Sequence, residues 1–168
     1  GNAYSFNLLG TSVTWNGTTF TLGPTNNPSA WQNTVVTLPA GSYSTLDFLG
    51  NAVNGNLASQ HFIVTYSDNS TTTYTQSVSD WFTPQNYPGE SVAFTSTYRD
   101  EYNGTKDPRT FLLYGYSFAV NPKKTVKSLT LPAPLTKDNV VVVLAIALSS
   151  DCGGQDYCAV KLTQGALQ

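Results

Sequence analysis

Apolar and polar positions alternate with a period of two along most of the chain, and helical periodicity is almost absent. In residues 72–79, the face that carries Tyr74 and Val78 is richer in apolar groups than the other face. Strand-like segments of this kind recur at short intervals, with turn residues between them. The predicted strands cover residues 4–9, 12–15, 18–22, 34–38, 45–49, 61–66, 72–78, 91–98, 110–120, 125–131, 140–148 and 159–162.

Two turns and one buried strand define the predicted fold further. Asn16-Gly17 lies between two strand-like segments and is the strongest short hairpin signal. Residues 67–70 predict a second hairpin turn. Residues 139–148 have no polar face, which indicates a central strand that is covered on both sides. The chain is therefore predicted to be all-β, an antiparallel, jelly-roll-like β-sandwich of about ten strands.

Composition indicates one soluble domain and excludes two classes of partner. The 168 residues carry a net charge of −2, and only 11% of them are charged, against a usual figure of about 25%. A nucleic-acid-binding domain normally shows a basic patch, so we expect no nucleic-acid partner. The longest apolar run, residues 140–148, is far shorter than the roughly 20 residues of a membrane span, and no basic segment favours a membrane surface. We expect a single domain over residues 1–168 and no membrane partner.

The scarcity of histidine and glutamate limits the chemistry of the chain. His61 is the one histidine, so a zinc site of several histidines is excluded. It lies in a strand-like run, where a sheet histidine is the preferred interpretation and a catalytic base the alternative. The two glutamates, Glu90 and Glu101, bracket residues 91–98 and are roughly 30 Å apart if that segment is extended. No acid–base pair is evident at glycosidase spacing, so we predict a non-enzyme with no catalytic residues.

The two cysteines indicate an oxidising compartment. Cys152 and Cys158 enclose a Gly-rich loop, and cysteines this close can meet the distance limits of a disulfide. The spacing is not that of a redox motif, and further soft zinc ligands are absent nearby. We predict a disulfide within a cysteine-bridged C-terminal segment, residues 151–168, and secretion to an extracellular location.

No cofactor is certain, and a structural calcium ion is an open alternative. Calcium in sandwiches takes Asp and Asn side chains together with backbone carbonyls. The candidate ligand groups, none of which has an EF-hand pattern, are Asp68-Asn69, Asp100-Glu101 and Asp151 with Asp156. No metal ligands are assigned.

The richest candidate site is the stretch from residue 79 to residue 110, which holds both glutamates and both arginines. Aromatic rings on loops cover the apolar face of a pyranose, while planar polar groups bind its hydroxyls. The alternative is structural, with Asp80-Trp81 as a buried corner and Tyr98-Arg99-Asp100 as an ion pair. The candidate ligand-binding residues are Trp31, Asp80, Trp81, Gln85, Asn86, Tyr87, Tyr98 and Arg99.

Two other aromatic groups leave both interpretations open. Trp31 lies in a polar loop of residues 26–33 and is either a ligand platform or a core side chain. Tyr114 and Tyr116 fall on one face of a predicted strand. They form either a flat glycan platform or sheet packing, of which packing is preferred.

Several short motifs in a distinctive order resemble a recurrent accessory domain. The resemblance spans about residues 4–148 and leaves out the cysteine-bearing tail. Its usual Tyr-Arg-Asn pattern has Asp100 in place of the Asn here, which puts a direct role for Asp100 in doubt. The motifs are Leu46-Asp47-Phe48-Leu49-Gly50, Val64-Thr65-Tyr66-Ser67-Asp68, Ser79-Asp80-Trp81, Tyr98-Arg99 and residues 124–132 and 139–145.

The domains that it resembles are carbohydrate-binding-module-type β-sandwiches of the galactose-binding-like kind, appended to secreted glycoside hydrolases. The resemblance implies a non-catalytic module that targets a secreted hydrolase to polysaccharide. Its expected partners are a polysaccharide or oligosaccharide and the catalytic domain of a parent enzyme. The alternatives are a small β-sandwich glycoside hydrolase and a structural spacer or protein-interaction module.

Overall fold

The computed structural model describes residues 2–24, 30–31, 33–133, 139–150 and 158–161, the second and last of these ranges for the backbone only. Almost all of the regular structure is β-strand, as predicted. In chain order the elements are β1 (Ala3–Tyr4), α1 (Phe6–Leu9), β2 (Ser12–Trp15), β3 (Thr18–Thr21), β4 (Ala30–Trp31), β5 (Val35–Ser42), β6 (Thr45–Val53), β7 (Leu57–Tyr66), β8 (Thr71–Val78), β9 (Glu90–Ser96), β10 (Arg99–Asp100), β11 (Lys106–Asp107), β12 (Phe111–Ala119), β13 (Thr125–Thr130), β14 (Val140–Ser150) and β15 (Cys158–Lys161).

Two antiparallel sheets form the sandwich. The larger sheet has six strands in the order β15-β14-β6-β12-β9, with β4 also paired to β14. The smaller sheet has four strands in the order β5-β13-β7-β8. A β2-β3 hairpin and a short β1-β10-β11 sheet complete the described structure. The predicted all-β sandwich is therefore confirmed, and the ten strands of its two main sheets match the predicted number.

The core between the two sheets is rich in aromatic rings. Phe48 of β6 stacks on Tyr116 of β12 with ring centroids 4.7 Å apart, and it meets Phe62 of β7 at 5.0 Å. Tyr114 and Tyr116 are 1% and 0% exposed, so these two tyrosines pack the sheet and form no glycan platform. Offset and tilted ring pairs of this kind add to the free energy gained from burial.

The β2-β3 hairpin covers the outer face of the larger sheet. Asn16 and Gly17 have φ values of 48° and 78°, as the predicted Asn-Gly turn requires. Trp15 lies against Gly115 of β12 so closely that a Cβ atom there would overlap the indole ring. Because the hairpin covers the outer face and the core covers the inner face, residues 46–52 of β6 are all buried. β14 lies between β6 and β15, as predicted for a central strand.

The predicted strand at residues 4–9 differs from the structure. Only Ala3–Tyr4 is extended, and Phe6–Leu9 form a single helical turn. The backbone N–H groups of Leu8 and Leu9 both donate to the Ser5 carbonyl, and Gly10 ends the turn with a φ of 68°. Apolar alternation over so few residues fits a strand and a short helix equally well, so the pattern alone was misleading.

Glu90 ties the loop of residues 79–89 to the sandwich. One carboxylate oxygen accepts from the Ser79 hydroxyl at 2.5 Å and the Tyr87 N–H at 2.9 Å. The other accepts from the Ser79 N–H at 3.1 Å and the Tyr116 hydroxyl at 3.0 Å. Burial, followed by the Glu90 charge, raises the pKa of Tyr116, which keeps that hydroxyl a donor. Both ends of the loop of residues 79–89 are therefore hydrogen-bonded to the Glu90 carboxylate.

Replacing Gly115 with Ala is expected to destabilise the fold by about 1–3 kcal/mol, because the added methyl group overlaps the Trp15 indole. Urea denaturation of the two proteins measures the difference. In a Trp15→Ala background the same change is expected to cost less, since the ring that it strikes is gone. Equal costs in both backgrounds would contradict this packing.

Replacing Glu90 with Gln is expected to reduce stability by about 1–3 kcal/mol. Whichever oxygen the amide nitrogen replaces, one backbone N–H, of Ser79 or of Tyr87, then faces a donor. The matched control is Glu101→Gln, because Glu101 is 30% exposed and lies 3.8 Å from Arg99. The control should change the unfolding free energy by less than about 1 kcal/mol. A Glu90→Gln protein as stable as the control would refute the role of Glu90.

Candidate functional site

Two segments from the predicted stretch lie side by side at one end of the sandwich. The first is the loop of residues 79–89, and the second is the β10-β11 pair with its connection. Two arginines make the contact between these segments. The guanidinium of Arg99 in β10 lies 5.2 Å from the centre of the Trp81 ring. Arg109, which follows β11, lies 4.2 Å from the centre of the Phe82 ring. The structure therefore brings most of the predicted stretch together.

Asp80 holds the loop in place with both carboxylate oxygens. One accepts from the Gly55 N–H at 2.9 Å and the other from the Phe82 N–H at 2.8 Å. Its own N–H donates to the Asn56 side chain, and its backbone forms a parallel bridge with Ala52. Asp80 is 5% exposed. The Asp80 carboxylate, which was predicted to bind sugar hydroxyls, is therefore hydrogen-bonded to backbone N–H groups of the protein. This is the structural role given above as the alternative.

Trp81 is also buried, with 8% of its surface exposed. Tyr4 meets the indole edge-on at 5.3 Å, and Phe111 packs against it at 4.8 Å. Arg99 covers it further. Because these neighbours enclose the ring, Trp81 presents no stacking face to the surrounding solvent. Asp80 and Trp81 together form the buried corner that the sequence analysis gave as the alternative to a ligand site.

Arg99 belongs to an ion-pair cluster and not to an exposed hydrogen-bonding group. Its guanidinium lies against the rings of both Trp81 and Phe111, 5.2 and 4.9 Å from their centres, and pairs with Asp107 at 3.1 Å. Asp107 is also bound by Arg109, at 2.5 Å. The hydrogen bonds from Arg109 are the main cause that lowers the pKa of Asp107 to about 2. The structural alternative of an ion pair within Tyr98-Arg99-Asp100 was wrong in its acid, because Arg99 pairs with Asp107 and Glu101 and forms no salt bridge with Asp100 in the described residues.

Tyr98 is half-buried beside the N-terminal segment. Its hydroxyl oxygen accepts a hydrogen bond from the Ser5 hydroxyl at 3.0 Å, and this bond lowers the pKa of Tyr98. The Lys106 ammonium lies 4.2 Å from the ring centre and covers one face. Only part of this ring is available to a ligand.

The exposed part of the two segments consists of other side chains, which together are named the end-loop surface. Phe82 is 39% exposed and Tyr102, in the β10-β11 connection, is 83% exposed. The Arg109 side chain is 50% exposed. Gln85 and Asn86 are exposed on the same loop as Phe82, and Tyr87 beside them is half-buried. The end-loop surface is formed by Phe82, Gln85, Asn86, Tyr87, Tyr102 and Arg109.

The residues predicted from the sequence did not include Phe82, Tyr102 or Arg109, which are exposed on these two segments. A usable signal was present at Trp81-Phe82, because the larger tryptophan ring gains more from burial than the phenylalanine ring. Phenylalanine was therefore the better candidate for the exposed ring. For Tyr102, the signal was its turn-rich setting, Asn103-Gly104.

Two other predicted features lie at or outside the limits of the described residues. Trp31 pairs with Val142 through its backbone in β4, and its side chain is outside the description. Cys152 lies outside the described residues, and Cys158 is described only by its backbone in β15. The stacking role of Trp31 and the disulfide therefore stay predictions.

The remaining candidates have structural contacts or no site. His61 is exposed on β7, with its Nδ1 atom 3.1 Å from the Thr75 hydroxyl, as expected of a sheet histidine. Asp68 pairs with Lys124 at 2.9 Å. No group of three or more His, Cys, Asp or Glu side chains is placed to hold a metal ion in the ranges given above.

Within those same ranges, no helix has the length and apolar character that crossing a membrane requires.

Comparison with known proteins agrees with the observed architecture. No curated protein matches the chain. A sequence profile of the AziU2-like beta-sandwich domain matches residues 1–152, which include both main sheets apart from β15. This match supports the β-sandwich part of the resemblance drawn from the motifs. The chain belongs to the AziU2-like beta-sandwich domain family.

Proposed function

We propose that the chain is a non-catalytic carbohydrate-binding module that holds a polysaccharide or oligosaccharide through the end-loop surface. The observation that carries this proposal is the exposed Phe82 ring, which lies 4.2 Å from the Arg109 guanidinium and on the same loop as the exposed amides of Gln85 and Asn86. A second exposed ring, Tyr102, lies in the β10-β11 connection. Rings bind the C–H face of a sugar, and planar amide and guanidinium groups bind its hydroxyls.

Hydrogen bonds within the protein hold the loop that carries Phe82 and the side chain of Arg109 in place. The Glu90 carboxylate fixes both ends of the loop, and Asp80 fixes its corner from within. Arg109 is held over Phe82 by its bonds to Asp107 at 2.8 and 2.5 Å. A surface that is already ordered loses less conformational entropy when a ligand binds.

The contacts of the two glutamates favour binding over hydrolysis. A retaining or inverting glycosidase needs one carboxyl group as a proton donor and a second as nucleophile or base. The oxygens of Glu90 accept from four donors of the protein itself. Glu101 bonds to the Thr105 hydroxyl and lies beside Arg99. Both glutamates therefore make hydrogen bonds or ion pairs within the fold that do not involve a substrate.

A module of this kind acts through proximity. In this proposal the chain accompanies the catalytic domain of a secreted hydrolase and keeps it near its polymer. Tethering raises the effective concentration of the enzyme at the substrate without any new catalytic group. The proposed location is extracellular.

An affinity-gel panel tests the proposal. Cellulose, xylan, glucan, mannan, pectin and chitin would be run with and without EDTA, followed by calorimetric titration of any polymer that retains the protein. We expect retention by at least one polymer without release of reducing sugar. Release of reducing sugar would support the glycosidase alternative, and no retention by any polymer would support the spacer alternative.

Removing the exposed rings is expected to weaken binding without unfolding the protein. Phe82→Ala and Tyr102→Ala should each lower affinity for the retained polymer about five- to tenfold, which corresponds to about 1–1.4 kcal/mol. The matched control is Phe6→Ala, because Phe6 is exposed to 51% but belongs to α1. Equal loss in all three variants, or none in the first two, would place the ligand elsewhere.

Binding is expected to weaken only in strong acid. The hydrogen bonds from Arg109 lower the pKa of the Asp107 carboxyl to about 2 in the folded protein, so the charge that holds Arg109 over Phe82 persists below the ordinary aspartate pKa of about 3.9. The same charge stabilises the fold above about pH 3.9, and that stability is lost as the pH falls towards about 2. Titration calorimetry between about pH 7 and about pH 4 is expected to give a constant affinity, and an affinity that falls within that range would contradict this role of Asp107.

A further inference from the structure

We propose that β8 forms the interface with a second copy of this chain, by antiparallel edge-to-edge pairing of β8 with β8. This pairing would join the two four-stranded sheets into one continuous sheet. The proposal is independent of the sugar-binding surface, because β8 lies in the smaller sheet and the end-loop surface lies on the loops that follow it.

The hydrogen-bond pattern identifies which groups of β8 are free. In the turn before β8, the Tyr66 N–H donates to the Ser70 carbonyl, so this pair is hydrogen-bonded. Hydrogen-bonded pairs recur at every second residue along an antiparallel ladder. The register then directs the backbone groups of Thr72, Tyr74 and Gln76 towards β7. The backbone N–H and C=O groups of Thr71, Thr73 and Thr75 point to the open edge.

The open edge is unoccupied by other backbone in the part of the chain that the structure describes. The backbone of residues 71–75 there makes no hydrogen bond outside the β7-β8 ladder. The edge ends at Gln76, whose side chain donates to the carbonyls of Ser77 and Pro88. Thr71, Thr73 and Thr75 are all exposed. Each of them offers one donor and one acceptor, spaced as a partner strand requires.

This edge lacks the features by which proteins normally protect a sheet edge. Protective features include proline, inward or edge charges, bulges and covering elements. The strand Thr71–Val78 contains no proline, no glycine and no charged residue, and its ladder with β7 is regular from Thr71 to Gln76. The opposite edge of the same sheet, β5, contains Pro39. In the larger sheet, the edge strand β9 is contacted by α1 and β2.

A second copy of the chain fits this edge particularly well. A two-fold axis at Thr73 places Thr73 opposite its own copy and Thr71 opposite Thr75 of the other copy, so every outward donor meets an acceptor. On the exposed face of the strand, the side chains that then face each other are threonines, which make favourable cross-strand pairs. Because the strand has no charge, no like charges are brought together when it pairs with itself.

Sedimentation equilibrium over a concentration series tests the proposal. The wild-type weight-average mass is expected to rise from 18.1 kDa towards twice that value as concentration increases. In Thr73→Pro an outward donor is removed while the bonds to β7 stay, since proline is tolerated at edge positions whose N–H faces solvent. This variant should remain a monomer at all concentrations, with its fold checked by near-ultraviolet circular dichroism.

Thr73→Lys tests the same contact without a proline, so a folding defect in one variant does not decide the result. It places two like charges opposite each other at the two-fold axis and should also remain a monomer. The matched control is Thr37→Lys, an exposed threonine on β5, which should dimerise like the wild type. A wild-type protein that stays monomeric, a variant at Thr73 that still dimerises, or a dissociated control would each overturn the proposal.

Discussion

The four hydrogen bonds to the Glu90 carboxylate connect the core of the sandwich to the loop of residues 79–89. Tyr116 approaches from the aromatic core, Ser79 from the end of β8, and Tyr87 from the far side of the loop. Net stabilisation from hydrogen bonds to a charged group is larger than that from neutral ones, and burial raises the cost of losing a partner. The position of the end-loop surface therefore depends on a side chain that is not itself part of that surface.

Glu90 matters more here than one carboxylate would in an average protein, because charged residues make up only 11% of the chain. Hydroxyl and amide groups supply most of the polar contacts, and the few charged side chains are concentrated where they organise loops. Asp80 fixes the corner before Trp81, and Asp107 aligns Arg99 and Arg109. Each acid accepts from several groups at once, which is how so few charges hold so much irregular structure.

The alternation of polar and apolar residues was sufficient for the fold class. Period-two segments, the Asn16-Gly17 turn and the two-sided apolar run at residues 139–148 all have direct counterparts in the structure. Residues 6–9 failed because a single turn of helix and a short strand share the same pattern. The site was harder to predict, since composition shows that a loop is rich in aromatic and polar groups but not which of them face inward. For Asp80 and Trp81 the answer depends on contacts with β6 and β1, far away in sequence, and for Arg99 it depends on the pairing of β10 with β11.

The same shortage of charge has opposite consequences at the two proposed surfaces. Beside the end-loop surface, Asp107 and Glu101 together balance the charges of Arg99 and Arg109, so the exposed groups around Phe82 suit a neutral ligand with many hydroxyls. On β8, hydroxyl side chains form hydrogen bonds with water, but they carry no charge that would repel a second strand from the open edge. If two copies pair there, each dimer carries two end-loop surfaces, and a polymer long enough to reach both would be held by avidity beyond the strength of either site.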